Sequence, residues 1–370
     1  MAGTNPLDTL KIKKLIGFKQ ITPAVINGDL ITALKQCGID ALTGYDQSDT
    51  AFSIGQMSVL GNTFYGLKMD TPTSKRIGSM LLYSWVVQDL IDHPLQTGIR
   101  LTQSGYAGSI KDVSLLMMYR KNSNSSIDFS PELTLQGEDS SLYWEIVMSA
   151  KKISATTCSV NVDAYVNKQN VSSCVISSVS LSDVLSLRVG PYMTATPGKP
   201  LSIMAGDIYV AELDYNSDGT VTPQLLGNLT LEPFTVATYA GDKHTNTKGL
   251  DVVTALNTLD PNNDMGALAI KPVEQPASVT FNVPDIAGKS IYGASLNIVY
   301  KDSIAPNNRL SYQITEGTTQ LPAETITTRK ADITGYTTFS KILTTPEGGG
   351  AWNADNLKFR LNMVNKSADD

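Results

Sequence analysis

The groups this chain offers for chemistry are few. It has two histidines and three cysteines in 370 residues. A Ser/His/Asp or Cys/His system needs a histidine poised beside a nucleophile. His93 lies in Asp92-His93-Pro94 and His244 in an all-polar stretch, and both read as ordinary surface histidines. There is no Gly-x-Ser-x-Gly elbow, no His-Glu-x-x-His, no Cys-x-x-Cys and no phosphate loop ending in Gly-Lys-Ser/Thr. A glycosidase-type pair needs two carboxylates across a cleft. Glu145 and Asp163 can be named for it, but both fall in strand-like runs and read as outward-facing residues. Trp85, Trp144 and Trp352 could stack on a sugar ring, yet Trp85 and Trp144 sit in apolar runs, which favours core packing. Cys37, Cys158 and Cys174 have no metal-ligand spacing. An odd, sparse set reads as thiols, with a Cys158–Cys174 bridge as the alternative. The expectation is a chain with no catalytic residues and no cofactor, and not an enzyme.

Asp214-Tyr215-Asn216-Ser217-Asp218-Gly219 matches the opening of a calcium loop, with Asp214, Asn216 and Asp218 as candidate ligands. Its twelfth position is Leu225 instead of a bidentate Glu. A β-hairpin with Asp218-Gly219 at its tip explains the same residues and is the preferred reading. Lys11, Lys13 and Lys14 form a short basic cluster, as do Lys151 and Lys152. The net charge is −6, so no global field draws a polyanion, and nucleic acid is not expected as a partner.

The elements that must position these residues read as strands. Charged residues make up 17% of the chain against about 25% in ordinary domains. Ser, Thr, Asn, Gln and Gly fill the difference, a palette for pleats and turns and a poor one for long surface helices. Alternating runs at 52–60 and 63–69 and further strand-like runs at 98–102, 113–119, 142–150, 158–166, 171–179 and 207–214 are bounded by turn residues, with a nearly continuous apolar run at 79–87. This spacing indicates a sandwich or a barrel. Short helices are expected at 29–38 and 251–259, and a helical turn at 180–185. Polar stretches at 241–249 and 260–264 place a linker at 241–270. The expected organisation is an N-terminal arm at 1–14, a β domain at 15–240, the linker, and a second β domain at 271–370. No run approaches 18 apolar residues, so no membrane span is expected. Residues 1–6 lack a basic region followed by an apolar stretch, which leads to an expectation of synthesis and folding in the cytoplasm.

Two stretches carry a resemblance. One is Ser290-Ile291-Tyr292-Gly293-Ala294-Ser295-Leu296-Asn297-Ile298-Val299-Tyr300 with Arg309-Leu310-Ser311-Tyr312. The other runs from Pro346-Glu347-Gly348-Gly349-Gly350-Ala351-Trp352 through Asn353-Ala354-Asp355-Asn356 to Leu357-Lys358-Phe359-Arg360-Leu361. A Gly-rich corner, a Trp, a short Asn/Asp turn and Leu-x-Phe-x-Leu resemble the closing segment of β-sandwich domains in tailed-bacteriophage virion proteins. In those domains the Trp and the turn pin the last strand to the core. The N-terminal half, through Tyr143-Trp144-Glu145-Ile146 and residues 160–167, is similar to concanavalin-like jelly rolls. The resemblance implies an all-β protein with a jelly-roll-like N-terminal domain, a smaller C-terminal β-sandwich and few short helices. It further implies a structural component of a tailed-phage particle (head decoration, collar or baseplate-associated), located in the virion. Its partners would be other virion proteins and further copies of itself, with Lys11, Lys13 and Lys14 as assembly contacts. The alternative is a receptor-binding or lectin-like protein that recognises cell-surface glycan.

Overall fold

The structure is a computed structural model. It describes residues 10–19, 51–71, 80–104, 113–120, 126–129, 139–191, 201–241, 245–246, 249, 251–257, 268–270, 276–300, 309–326 and 337–366. The described residues form two compact units, one of 10–18 and 51–231, the other of 19 and 232–366. The protein is all-β, with a jelly-roll-like first unit, a smaller sandwich as the second, and, among the described residues, two short helices.

The first unit contains β1 (Lys11–Ile16), β2 (Ala51–Val59), β3 (Asn62–Thr71), β4 (Met80–Val86), β5 (Leu95–Ser104), β6 (Val113–Arg120), β7 (Ser126–Phe129), β8 (Ser140–Lys152), β9 (Thr157–Val166), β10 (Gln169–Ser180), β11 (Val184–Pro191) and β12 (Leu201–Glu212), with helix α1 (Val87–Asp92). One sheet runs β10-β9-β8-β5-β12-β3-β2, with β1 added along β12; a second runs β4-β11-β6-β7. The register fixes two faces of the larger sheet. Leu95, Ile99 and Leu101 of β5 share a face with Trp144, Ile146 and Met148 of β8 and Val160, Val162 and Ala164 of β9. All are buried, and this side is apolar along most of these strands, with Thr97, Gln103 and Ser140 as its buried polar residues. The opposite face carries Gln96, Arg100, Tyr143, Glu145 and Tyr209. The β9–β10 turn consists of Asn167 and Lys168, both at positive φ (50° and 65°), the geometry that follows the twist of the flanking strands.

Several expectations need correction. Residues 11–14 are not a free arm: β1 is hydrogen-bonded along β12, with Lys11 opposite Glu212 and Ile16 opposite Ile208. A segment committed to its own sheet cannot thread into a neighbour. Lys11 pairs with Asp214 and Lys13 with Glu212, each at 2.7 Å. The run at 79–87 does not continue as strand to its end, because Val87 begins α1, whose buried Val87 and Leu90 anchor it. Of residues 180–185, Ser180 ends β10, 181–183 form a tight turn and not a helical one, and Val184 begins β11. The expected helix at 29–38 lies outside the described residues.

The second unit contains β13 (Thr235–Ala240), β14 (Thr245–Asn246), helix α2 (Val252–Asn257), β15 (Leu268–Ala269), β16 (Ala277–Asn282), β17 (Ala294–Tyr300), β18 (Arg309–Glu316), β19 (Thr319–Gln320), β20 (Glu324–Ile326), β21 (Thr337–Leu343) and β22 (Phe359–Lys366). The chain changes unit after Leu231, not at 240, because β13 is bonded to β16. The stretch expected as linker holds α2, β14 and β15. Asp251 caps α2 by accepting from the Thr254 amide at 2.9 Å, which lowers its carboxyl pKa. A sheet ordered β13-β16-β22-β18 and the β17–β21 ribbon share one core, in which Ile298 and Phe339 of the ribbon meet Val279, Tyr312, Ile314 and Leu361. Trp352 is buried beside Phe359, with ring centroids 6.0 Å apart, and donates Nε1–H to the Thr344 carbonyl at 3.1 Å. The next turn is closed by Asn353 Oδ1, which accepts from the amides of Asp355 and Asn356 at 2.8 and 3.1 Å. β22 then enters the sheet between β16 and β18.

Trp352→Ala should therefore cost about 3–5 kcal/mol of stability and Trp352→Phe less, because Phe keeps most of the ring burial while losing the hydrogen bond and the second ring. Chemical denaturation of the full chain checks the order.

Candidate functional site

The polar face of the first unit carries a buried cluster. Gln96 is 0% exposed, Glu145 1% and Arg100 7%. Groups of this kind are costly to bury unless every polar atom finds a partner. The partner is the extended segment 222–231, which crosses this face as a strap. Gln96 grips Gln224 with both ends of its amide: Oε1 accepts from the Gln224 N–H at 2.9 Å and Nε2 donates to the Gln224 carbonyl at 2.9 Å. Glu145 Oε1 accepts from the Leu226 amide at 2.7 Å, and Oε2 from the Gly227 amide at 2.9 Å. Arg100 donates to the Leu229 carbonyl and pairs with Asp207 at 2.7 Å, while Asp207 Oδ1 accepts from the Leu231 amide at 3.0 Å. The guanidinium also lies 5.5 and 5.4 Å from the rings of Phe64 and Tyr143.

Backbone geometry makes the cluster possible. Gly98 stands opposite Glu145 on one side and Tyr209 on the other. With no Cβ in the way, the Tyr209 ring lies over Gly98, and its hydroxyl donates to Glu145 Oε1 at 2.6 Å across β5. A methyl group at Gly98 would collide with that ring and lie 2.5 Å from the Tyr143 hydroxyl. Asp207 sits in a register shift of β12 between Gly206 and Tyr209, at φ 46°, a conformation Asp tolerates better than most residues. That bulge aims its carboxylate at Arg100 and its carbonyl at Tyr143, whose hydroxyl donates to it at 3.0 Å.

Burial raises the Glu145 pKa; the Tyr209 hydroxyl, the two strap amides and Lys168 hold it down in part. Burial also keeps the phenols of Tyr143 and Tyr209 well above their ordinary value, so both act as donors. A carboxylate, two phenols and a guanidinium are group types suited to proton transfer and anion binding. Here each is engaged by the strap or by a neighbour within the cluster, and its chemistry is to hold the strap.

The strap leaves the outer strands of the same face open. The rows Glu145-Tyr165-Asn170, Val147-Asp163-Ser173 and Ser149-Asn161-Val175 run across β8, β9 and β10, with Lys151 and Ser159 beyond. Asn161 is exposed, and Ser149, Ser159, Asp163 and Tyr165 are half-buried, between buried Cys158, Val160, Val162 and Ala164 on the other side. The described residues of the strap exchange hydrogen bonds with Gln96, Arg100, Glu145 and Asp207 instead of with these side chains.

Of the residues singled out from sequence, Glu145 and Asp163 do share a face, but Glu145 points inward instead of outward. Asp214, Asn216 and Asp218 form a hairpin. Asn216 bonds Thr220 backbone to backbone at 2.8 Å, its Nδ2 donates to Thr220 and Thr222, and Asp218 Oδ1 accepts from Thr220. Asp214 is drawn to Lys11, which lowers its pKa. Asp214 thus goes to Lys11, while Asn216 and Asp218 share Thr220 within the turn. Among the described residues no group of three or more His, Cys, Asp or Glu is placed to hold a metal ion. His93 is exposed at the end of α1; His244 and Cys37 lie outside the described residues. Trp85, Trp144 and Trp352 are all buried, so none offers a stacking platform. Cys158 and Cys174 are free thiols. Sequence reasoning missed Gln96, Gly98, Arg100, Asp207 and Tyr209. The one available signal was Gly98 inside a strand, a mark of close approach by another group.

No protein-family model matches the chain, and no curated protein does. Solved structures match at the level of architecture. The alginate lyase Aly36B is 6% identical, over 55% of this chain and 97% of its own, with a TM-score of 0.32. The lectin UEA-II complexed with galactose is 11% identical, over 45% and 91%, with a TM-score of 0.24. The tandem CBM22-1–CBM22-2 domain of Xyn10C from Paenibacillus barcinonensis is 9% identical, over 98% and 92%, with a TM-score of 0.27. Likeness at this level assigns no activity or ligand to this chain. It does correct the expectation of a protein that is not an enzyme. Lyases stand among the matches, so an all-β pattern without sequence motifs does not separate binding proteins from enzymes. The resemblance to tailed-phage virion proteins finds no counterpart in these structures.

Replacing Glu145 by Ala leaves three buried donors unpaired and should cost at least about 3 kcal/mol. It should also release hydrogen-exchange protection at the Leu226 and Gly227 amides. With Gln the loss is smaller, and the gap between wild type and Glu145→Gln should narrow as pH rises. A carboxyl whose folded pKa is raised contributes stability at low pH that is lost as pH climbs through the folded value. Denaturation of both proteins from pH 4 to pH 8 (the range spanning about the ordinary Glu value and neutrality) reads the sign.

Proposed function

We propose that the chain recognises a polyhydroxylated ligand, a glycan, on the open polar face of β8 and β9. The observation that carries this reading is the row-by-row juxtaposition of Ser149, Asn161, Asp163 and Tyr165 on one face of rigid, paired strands, beside a strap that closes the rest of that face. A carboxylate and a carboxamide on neighbouring rows can each bridge adjacent hydroxyls of a sugar. The half-buried Tyr165 ring offers an apolar surface, and Lys151 marks the exposed end. Side chains on strands whose backs are buried are already ordered, which lowers the entropy lost on binding.

A structural role in a tailed-phage particle is the second reading. It would include other virion proteins as partners, a virion location, and contacts through Lys11, Lys13 and Lys14. It is supported by Val171 and Val175, which stand 51% and 61% exposed on the edge strand β10, where a protein neighbour would cover them better than water. Electron microscopy of the source particle should then find ordered copies in a ring or lattice; particles without such copies remove this reading.

For the glycan reading, calorimetric titration of the full chain with neutral and acidic oligosaccharides, calcium present, should give saturable heat with at least one. Asp163→Ala and Asn161→Ala should each weaken that binding about tenfold, or about 1.4 kcal/mol. Flat responses across the panel, or affinity unchanged in both variants, overturn the assignment.

A further inference from the structure

Strand β10 ends the large sheet. Among the described residues it pairs with β9 alone, and no other described strand takes up the N–H and C=O groups that alternate along its outer edge. Edge strands are commonly protected by charge, proline, short length or bulges. From Gln169 to Ser182 there is no charged residue and no proline. Protection comes only from two register shifts, at Asn170/Ser172 and Ile176/Val179, the second beside Ser178 at φ 59°. Between them Ser172–Ile176 runs in unbroken register against Ala164–Val160. This flat stretch is five residues long, and its centre is Cys174.

We propose that β10 pairs antiparallel with β10 of a second copy of this chain about a two-fold axis through Cys174, joining two eight-stranded sheets into one. The axis sets Ser173 against Val175 of the second copy and Ser172 against Ile176 of the second copy. Each match is a small residue with a β-branched one, and no like charges meet. A partner strand of opposite charge finds nothing here to select it, whereas a second uncharged copy meets no like charge. Val175, 61% exposed, gains cover from the pairing. The shifts on either side bend the strand away and stop the pairing after five residues, and a two-fold contact closes on itself, so the product is a dimer and not a fibre. The interface lies at the small end of the range, which sets the expected dissociation constant on the order of micromolar. The proposal rests on neither functional reading, since the dimer forms from purified protein with or without glycan or particle.

Two measurements on the full chain test it. Sedimentation equilibrium should give the mass of two chains, falling to one on dilution. In a Cys37→Ser background, a short bismaleimide should couple Cys174 to its symmetry mate, because facing Cα atoms of an antiparallel pair lie about 4.5–5.5 Å apart. Cys158 is buried and serves as the silent control. Burial lifts the Cys174 thiol to about 11, so the coupling is run at mildly alkaline pH. Val175→Lys should weaken association at least about tenfold and abolish the crosslink, while the thermal unfolding of this exposed-site variant stays unchanged. A single-chain mass at concentrations on the order of 0.1 mM overturns the proposal. So does a dimer that survives Val175→Lys with no Cys174 coupling, which would place the contact elsewhere.

Discussion

Everything in the first unit turns on how one polar sheet face is closed. An ordinary jelly-roll sheet buries one face and leaves the other to solvent or ligand. Here Gln96, Arg100, Glu145 and Asp207 are drawn under a strap whose backbone satisfies them almost atom for atom. The arrangement is stable only as a whole. Without the strap, the carboxylate and the amide would lie on a solvent-facing sheet with these bonds unmade. Without the side chains, five residues of irregular backbone would lie on a sheet with nothing to bond. Such reciprocal dependence fixes the strap's position more sharply than apolar contact does, because a slip of one residue would exchange donors for acceptors.

The strap also decides what the rest of the face can do. It crosses at the Gln96–Glu145–Arg100 rows and leaves β9 and β10 uncovered. The open part is consequently a strip of Ser, Asn, Asp and Tyr side chains held rigid by the buried residues between them. The strip ends at an uncharged edge. As proposed, a glycan meets this strand set on its open face and a second copy meets it on its outer edge. Face and edge both follow from the same low-charge composition that produced the sheet.

In the second unit a corresponding role falls to the corner around Trp352. The indole, its hydrogen bond to Thr344 and the Asn353 turn deliver β22 into the middle of its sheet. Asn257 acts in a similar way at the other end of that sheet. Its side chain accepts from the Val236 amide at 2.7 Å and donates to the Val236 carbonyl at 2.9 Å, pairing the backbone where β13 shifts register against β16. In both places a side-chain amide or indole completes backbone pairing that the strands leave unfinished.

The sequence by itself determined whatever depends on neighbours a few residues apart. Alternation at 158–166 marked β9, Asn216–Gly219 marked a hairpin, and Asp251 marked the start of α2, because pleat, turn and cap are local geometry. Short-range pattern failed where a local choice was overridden. The apolar run at 79–87 contains no stop signal, yet its end turns into α1 to bury Val87 and Leu90. Lys11–Ile16 has the look of a basic tail, yet it finds an open stretch of β12. Only the tertiary structure decided the fate of Glu145. Alternation along β8 assigns it to the face opposite the core, which reads as solvent. It is buried because a segment some eighty residues later lies across it, and because Gly98, on a different strand, leaves room for Tyr209 to reach it. Burial of a polar group is a property of what covers it, and no periodicity in its own strand records that.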